Sequence, residues 1–261
     1  NKPLMLNDVY VSTNFVRAGT NNITNFFLET RFARGDRIII KGNGGSGKTF
    51  FIKWLWLERF QRDTGRIPLL IELRRVSDSD SVDVLGFCRF ELRADAVFGN
   101  GTFETLCEDG RFEFLFDGFD EVAKEKRKTV EKQILDLADR YRKCSVIVSG
   151  REDDRFSSWG SFEVYDVAPT TLKDVQLLIE KIPFDPKVKK KFRENLTPDF
   201  YKEHKSFLSN PLLSVMMLMT FHDNAIIPAK LTTFYKHAFQ TMLTWHDATK
   251  DSFERERTLS L

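Results

Sequence analysis

Gly42-Asn43-Gly44-Gly45-Ser46-Gly47-Lys48-Thr49 fits the pattern G-x-x-x-x-G-K-[ST], and it follows the apolar run Arg37-Ile38-Ile39-Ile40, which reads as a buried strand. Behind it, Phe50-Phe51-Ile52-Lys53-Trp54-Leu55-Trp56-Leu57 reads as the start of a helix. Strand, glycine loop and helix are the context in which this motif means a phosphate cradle. The glycines let the backbone wrap a phosphate chain, so that several N–H groups point inward at the positive end of a helix dipole. Lys48 then supplies a positive charge to the β- and γ-phosphates, and Thr49 a hydroxyl to magnesium. An accidental Gly/Ser turn is the competing reading. With glycine at ~7% of residues, a chance match in a chain of this size is on the order of one in a hundred, and the flanking elements lower it further. Gly42, Asn43, Gly44, Gly45, Ser46, Gly47, Lys48, Thr49 and Phe50 are the candidate nucleotide-binding residues.

Outward from the loop, the chain alternates strand and helix. The helix after Thr49 runs to about Asp63 and stops at Thr64-Gly65. Ile67 to Leu73 is a nearly continuous apolar run, the pattern of a strand covered on both faces. Ser77 to Ser81 is a polar loop, and Ser81 caps the next helix at Val84. A further helix, Phe103 to Glu108, is closed by Gly110. Arg111 to Phe116 is a second buried strand ending at Asp117, Lys126 to Arg142 an amphipathic helix, and Cys144–Ser149 and Phe162–Val167 are strands. Before the loop, Asp8-Val9-Tyr10-Val11 reads as a short strand, and Asn25 to Arg34 as a short helix ending at Gly35. The alternation implies a parallel sheet with right-handed crossovers. From Leu172 onward only helical periodicity is visible, over Leu172–Ile182, Lys187–Leu196, Leu212–Phe221 and Thr232–Trp245, punctuated by Pro183, Pro186, Pro198, Pro211 and Pro228. The expected organisation is an α/β domain over residues 1–168, with a lead-in over 1–35, and a helical domain over 169–261.

The bulk composition excludes little but points consistently. Over 261 residues the charged fraction is 30% and the formal net charge only +2, so nothing electrostatic calls for nucleic acid or a membrane surface. The single basic run, Lys187-Val188-Lys189-Lys190-Lys191, is explained by a solvated helix face. The 25 Phe residues sit mostly in apolar runs and read as core rather than as a stacking platform for bases. Cys88, Cys107 and Cys144 show neither metal-ligand nor C-x-x-C spacing. His204, His222, His237 and His246 offer no ligand set. No signal peptide is visible, and the longest strongly apolar segment, Leu212 to Phe221, is too short to cross a bilayer. A reduced, cytoplasmic setting fits best. The first residue, Asn1, suggests a segment of something longer.

Phe114-Leu115-Phe116-Asp117-Gly118-Phe119-Asp120-Glu121 is the second informative stretch. Ligands of open parallel sheets bind at the carboxyl ends of strands, and Asp117 lies at such an end. An aspartate there can hold magnesium while Thr49 takes another position. A hydrolysing site also needs a carboxylate to orient or deprotonate water, and Asp120 and Glu121 are near enough in sequence to serve. A solvated acidic turn capping the Lys124–Lys128 helix start is the competing reading. In the additional-strand class of P-loop ATPases, the strand after the acidic one is inserted between it and the phosphate-loop strand. Here that strand is Cys144–Ser149, so Ser149 and Arg151 are expected to project toward the γ-phosphate.

With these residues in hand the chain resembles a NACHT domain of the STAND group of signal-transducing ATPases. The doubled acidic pattern D-G-F-D-E, the strand Ile67–Leu73 ending in Leu-Arg, Ser209-Asn210-Pro211-Leu212-Leu213 and Leu231-Thr232-Thr233-Phe234-Tyr235 carry the resemblance, over about Asp8 to Trp245. It implies an α/β P-loop NTPase sheet of the AAA+-like additional-strand type followed by a small all-helical domain. It also implies ATP or ADP with magnesium as ligands. Lys48 and Thr49 would bind phosphate and Mg2+, Asp117 would be the metal aspartate, and Asp120 and Glu121 the catalytic acidic pair. Arg151 would sense the γ-phosphate, Pro211 would pack on the adenine, and Tyr10 would lie near it. Two departures stand out: Gly150 replaces a hydroxyl residue before Arg151 and is expected to loosen that arginine's aim, and no winged-helix domain with its histidine is recognisable before Leu261.

What the resemblance implies functionally is a nucleotide switch. ATP biases two domains only by binding one arrangement better, with the γ-phosphate as the difference between ATP and ADP. The ATP state would form a homo-oligomer and signal to effector and sensor domains outside this segment, in innate immunity of the prokaryotic antiphage kind. Two other classes compete: an AAA+-like or nucleic-acid-stimulated ATPase, and a non-hydrolysing module that holds ADP.

Overall fold

The computed structural model describes residues 5–17, 19–20, 23–24, 36–78, 81–99 and 101–224. The expected helices Asn25–Arg34 and Thr232–Trp245, the segment Leu231–Tyr235, and His237 and His246 lie outside the described residues. The chain divides into two compact units, Asn1–Ala168 and Pro169–Leu261.

The first unit opens with α1 (Leu6–Val9), then β1 (Phe15–Arg17), β2 (Ile23–Thr24) and β3 (Arg37–Lys41). Of the expected strand Asp8–Val11, Asp8 and Val9 instead end this short helix and Tyr10 and Val11 follow it in no regular element; the Asp8 carboxylate accepts the Met5 N–H at 3.1 Å and closes a turn locally. After β3 come α2 (Lys48–Gln61), β4 (Ile67–Glu72), α3 (Leu73–Ser77), α4 (Val84–Glu91), α5 (Ala94–Phe98) and α6 (Thr102–Glu108). The cap of α4 is Asp83, whose side chain accepts from Gly86 N, and not Ser81. Next are β5 (Phe112–Asp117), a 3-10 turn (Phe119–Glu121), α7 (Lys124–Arg140), β6 (Ser145–Gly150), a second 3-10 turn (Asp154–Ser158) and β7 (Glu163–Val167).

The described strands form one seven-stranded sheet in the order β2-β1-β7-β3-β6-β5-β4. β7, β3, β6, β5 and β4 are parallel, while β1 joins β7 antiparallel and carries β2 on its outer edge. Successive strand residues face opposite sides of a sheet, and the two cores follow that alternation. Ile38, Ile40, Leu115 and Ile147 pack under α2 with Phe51, Ile52 and Leu55. Ile39, Phe114, Phe116, Val146 and Val148 face the other way, against Cys88, Phe103, Cys107, Val130, Ile134 and Leu137 from α4, α6 and α7. β5 and β6 are buried along their whole length, which is why they read as continuous apolar runs.

The second unit contains α8 (Leu172–Lys181), α9 (Pro186–Asn195), α10 (Pro198–Glu203), α11 (Lys205–Leu208) and α12 (Pro211–Asn224). Its core is Val175, Ile179, Phe192, Leu196, Phe207, Leu208, Met217 and Leu218. In the basic run, Lys187, Lys190 and Lys191 are exposed, while Lys189 Nζ donates to the last carbonyls of α8, Glu180 O at 2.6 Å and Ile182 O at 2.8 Å. His204 is buried, its ring centroid 4.5 Å from that of Phe200. No helix of the described residues is long and apolar enough to cross a membrane.

Candidate functional site

β3 delivers the chain into the glycine loop, and its last residue, Lys41, pairs in register with Gly150 of β6. Gly42 N donates to Gly150 O at 3.2 Å, so the loop after β3 and the loop after β6 leave the sheet side by side. α2 begins at Lys48 with Gly47 as a left-handed N-cap that offers no side-chain acceptor. The first-turn N–H groups of a helix have no intrahelical partner, so this terminus keeps its donors for a ligand. Lys48 is half-buried, and its Nζ donates to the loop's own carbonyls, Gly42 O at 2.7 Å and Asn43 O at 3.1 Å. Burial pulls its pKa below the usual lysine value; Asp120, Asp117 and Glu121 push it back up, and the charge on Arg151 lowers it further. Ser46 Oγ is buried with no hydrogen-bond partner among the described residues. Thr49 and Phe50 are exposed on the first turn of α2.

β6 lies between β3 and β5, so the acidic turn is one strand removed from the loop. Asp117, at the end of β5, is nearly buried, and Ser149 Oγ donates to its Oδ1 while accepting Gly118 N at 3.0 Å. Ser149 therefore does not project outward as expected: its hydroxyl is fully buried and spent on holding Asp117 and the start of the turn. Gly118 takes φ +80°, a left-handed conformation open to glycine at little cost, and this reverses the chain into the turn that carries Asp120 and Glu121. Buried Phe119 anchors that turn on Phe156 and Trp159, at centroid distances of 5.4 and 5.5 Å.

Asp120 and Arg151 meet. Asp120 Oδ1 accepts Arg151 N at 3.0 Å, and Oδ2 pairs with Arg151 Nε at 2.9 Å. Both oxygens of Asp120 are thus engaged by the arginine, while Glu121 is exposed and its carboxylate makes no hydrogen bond or ion pair among the described residues. Arg151 leans over the loop, its Nη2 3.5 Å from where a Cβ would stand on Gly44. Gly150 does not loosen this aim as expected. It is buried in β6, and a Cβ there would come within 3.1 Å of Phe156 Cζ and 3.3 Å of Phe119 Cβ, so the missing side chain makes room for the aromatic cluster beneath the turn.

Of the other sequence-derived candidates, Pro211 is the first residue of α12 in the second unit, and the preceding Asn210 caps that helix through Oδ1 to Leu213 N at 3.2 Å. Tyr10 stacks on Trp54 of α2, with centroids 4.9 Å apart, and its hydroxyl accepts Thr13 N at 3.3 Å. Sequence reasoning did not single out Lys41, Glu152, Arg127, Asp153 or Ser77. Lys41 Nζ binds Glu152 Oε1 at 2.7 Å and Asp166 Oδ1 at 3.4 Å, and Ser77 Oγ accepts Ala123 N at 3.1 Å behind the acidic turn. The partners of Lys41 and Ser77, and the Arg127–Asp153 pair, lie far apart along the chain, so no local pattern marks them. Among the described residues no group of three or more His, Cys, Asp or Glu converges as a metal cage. A magnesium site built from one hydroxyl, one carboxylate and phosphate oxygens would not need one.

A glycine loop into a helix N-terminus on β3, an acidic turn on β5, and the strand between them carrying an arginine together decide the architecture. The fold is an α/β, mostly parallel sheet of the additional-strand P-loop type, followed by a helical region. No protein-family model matches the chain, and no curated protein matches it. Among solved structures it is similar to a signal transduction ATPase with numerous domains (STAND) bearing a tetratricopeptide repeat sensor, from Pyrococcus horikoshii. There the identity is 15% and the TM-score 0.49, over 86% of this chain and 33% of that one, so the chain spans about a third of that protein's length. Domain III of the replication initiation protein DnaA from Thermotoga maritima gives 13% identity and a TM-score of 0.46 over 83% of this chain and 88% of that one. AMPPCP-bound DnaA from Aquifex aeolicus gives 12% and 0.41 over 87% and 88%.

Proposed function

We propose that the chain binds ATP and ADP with magnesium and works as a slowly hydrolysing nucleotide switch of the NACHT type. The observation that carries this reading is the convergence of the uncapped start of α2, Lys48, the acidic turn and Arg151. The chain's own groups fit a phosphate chain: donors without a side-chain cap, a buried Ser46 hydroxyl without a partner among the described residues, and an exposed Thr49 on the first turn of α2. Magnesium, when bound, neutralises phosphate charge. Thr49 and Asp117 would hold it, with Asp117 kept in place by Ser149. Lys48 would leave the loop carbonyls for phosphate oxygens, Glu121 would take the water's proton, and Arg151 would read the γ-phosphate. Oligomerisation in the ATP state, effector and sensor domains elsewhere, and an immune role belong to the same proposal and rest on the resemblance in sequence.

Isothermal titration with ATP and with ADP tests it. Lys48→Ala replaces a charge-assisted hydrogen bond worth about 1.5–3 kcal/mol, so affinity should fall about 10–100-fold; unchanged affinity would sink the reading. The lowered pKa of Lys48 adds a second expectation. Phosphate favours the charged lysine, so at pH above the lowered value binding must take up a proton, and affinity declines as pH rises through that range. Titration in buffers of different ionisation enthalpy measures the uptake. Heats independent of buffer across the alkaline range would show that Lys48 does not meet the phosphates.

A further inference from the structure

We infer that Arg127 is a positioning residue that locks the acidic turn to the loop bearing Arg151, and so sets discrimination between ATP and ADP; this rests on the nucleotide-switch reading above. Arg127 sits on the first turn of α7, its side chain 17% exposed. Nη2 donates to Asp120 O at 2.9 Å and Val122 O at 3.1 Å, and Nε donates to Val122 O at 3.2 Å. The other side of the fork, Nη1, pairs with Asp153 Oδ2 at 3.5 Å. Asp153 is itself half-tied into the loop after β6: it caps the 3-10 turn by accepting Arg155 N at 3.1 Å, and it binds Arg155 Nη1 at 3.0 Å. Arg155 and Trp159 both reach Glu131, one helical turn beyond Arg127, at 3.6 and 2.9 Å.

Arg127 therefore acts on Arg151 by two routes. One runs through Asp120, whose backbone carbonyl Arg127 holds and whose carboxylate holds Arg151. The other runs through Asp153, two residues along the chain from Arg151. A planar guanidinium can grip two carbonyls and a carboxylate at fixed angles, whereas a lysine ammonium is a point charge on a flexible stem. The hydrogen bonds and ion pair of Arg127 itself end on Asp120, Val122 and Asp153 and not on the glycine loop, so ADP, which lacks the γ-phosphate, should be little affected by its loss. A brace that served only stability would affect folding and leave the ratio of ATP to ADP affinity alone.

The test compares the unaltered protein with Arg127→Met, Arg127→Lys and Arg151→Ala, measuring melting temperature, ATP and ADP affinity by titration, and turnover. Arg127→Met should keep ADP affinity, lower turnover by about tenfold to a hundredfold through misplacement of the reacting groups, and shrink the preference for ATP toward that of Arg151→Ala. Arg127→Lys, which keeps the stem and charge, should fall between them and keeps the test valid if Arg127→Met does not fold. Adding Arg127→Met to Arg151→Ala should cost nothing further in the ATP-to-ADP ratio. A lowered melting temperature with that ratio and turnover unchanged would make Arg127 a structural brace and overturn the inference alone. An unaltered protein that binds neither nucleotide would overturn the switch reading and the inference with it.

Discussion

Glu113→Leu is expected to lower the stability of the protein by about 3–5 kcal/mol, because it leaves a buried guanidinium without its counter-charge. Glu113 is the second residue of β5 at 0% exposure, and Arg59, near the end of α2, is at 5%. The contact is bidentate: Arg59 Nε donates to Glu113 Oε2 at 2.8 Å, and Nη2 donates to Oε1. An arginine cannot escape by losing its proton, so its desolvation penalty falls directly on the folded state. The double variant Arg59→Met with Glu113→Leu should recover most of the loss, since an apolar pair of similar volume replaces a buried ion pair at little or no cost. Urea denaturation of the two single variants and the double variant measures this, with unchanged slopes as the condition for reading midpoints as stability. A loss for Glu113→Leu no larger than a surface substitution, roughly 0.5 kcal/mol, would mean that the site opens to water. The pair also has a functional bearing, because it fastens the far end of the phosphate-loop helix to the strand that delivers Asp117.

Glu113 shows where the sequence stops being legible. Arg111 to Phe116 reads correctly as a buried strand from its apolar residues, but the charge inside it is meaningless until Arg59, 54 positions earlier, is seen beside it. The glycine loop, the acidic turn and the inserted strand are legible because each is a contiguous run with a strong period or fixed motif. β1 is not: Phe15-Val16-Arg17 is too short to show alternation, and only β7 across from it makes it a strand. α10 was marked only by Pro198 as punctuation, although Thr197 before it caps the helix by accepting Phe200 N. Ser149 departs from expectation for a related reason. A small polar residue ending an apolar run looks outward-facing, and its hydroxyl is hidden only because Asp117 of the adjacent strand lies beside it. Contiguous motifs and strong periods are readable, while single-residue caps such as Thr197 and Asp83 and residues whose role is set across the sheet are not.

The same distinction separates the two carboxylates that the sequence treats as a pair. Glu121→Gln is expected to leave ATP affinity close to that of the unaltered protein and to cut turnover by about 10²–10⁴-fold, the usual contribution of a general base. Asp120→Asn should behave differently. Each oxygen of Asp120 accepts from Arg151, so this carboxylate is oriented by the arginine rather than toward a water while that contact lasts. An asparagine can still accept the Arg151 N–H, but it loses the charge that holds Nε. The predicted signature is a weaker preference for ATP over ADP and a smaller fall in turnover, with the pH dependence of turnover unchanged. Single-turnover rates across pH, together with titrations of each variant, separate the roles. If Asp120→Asn abolished turnover and Glu121→Gln did not, the base would be Asp120, and its contact with Arg151 would have to break before each hydrolysis. If the double variant hydrolysed normally, neither carboxylate would be the base. Exposure favours Glu121 as the base: it faces solvent, where a water can reach it, whereas Asp120 is paired with Arg151.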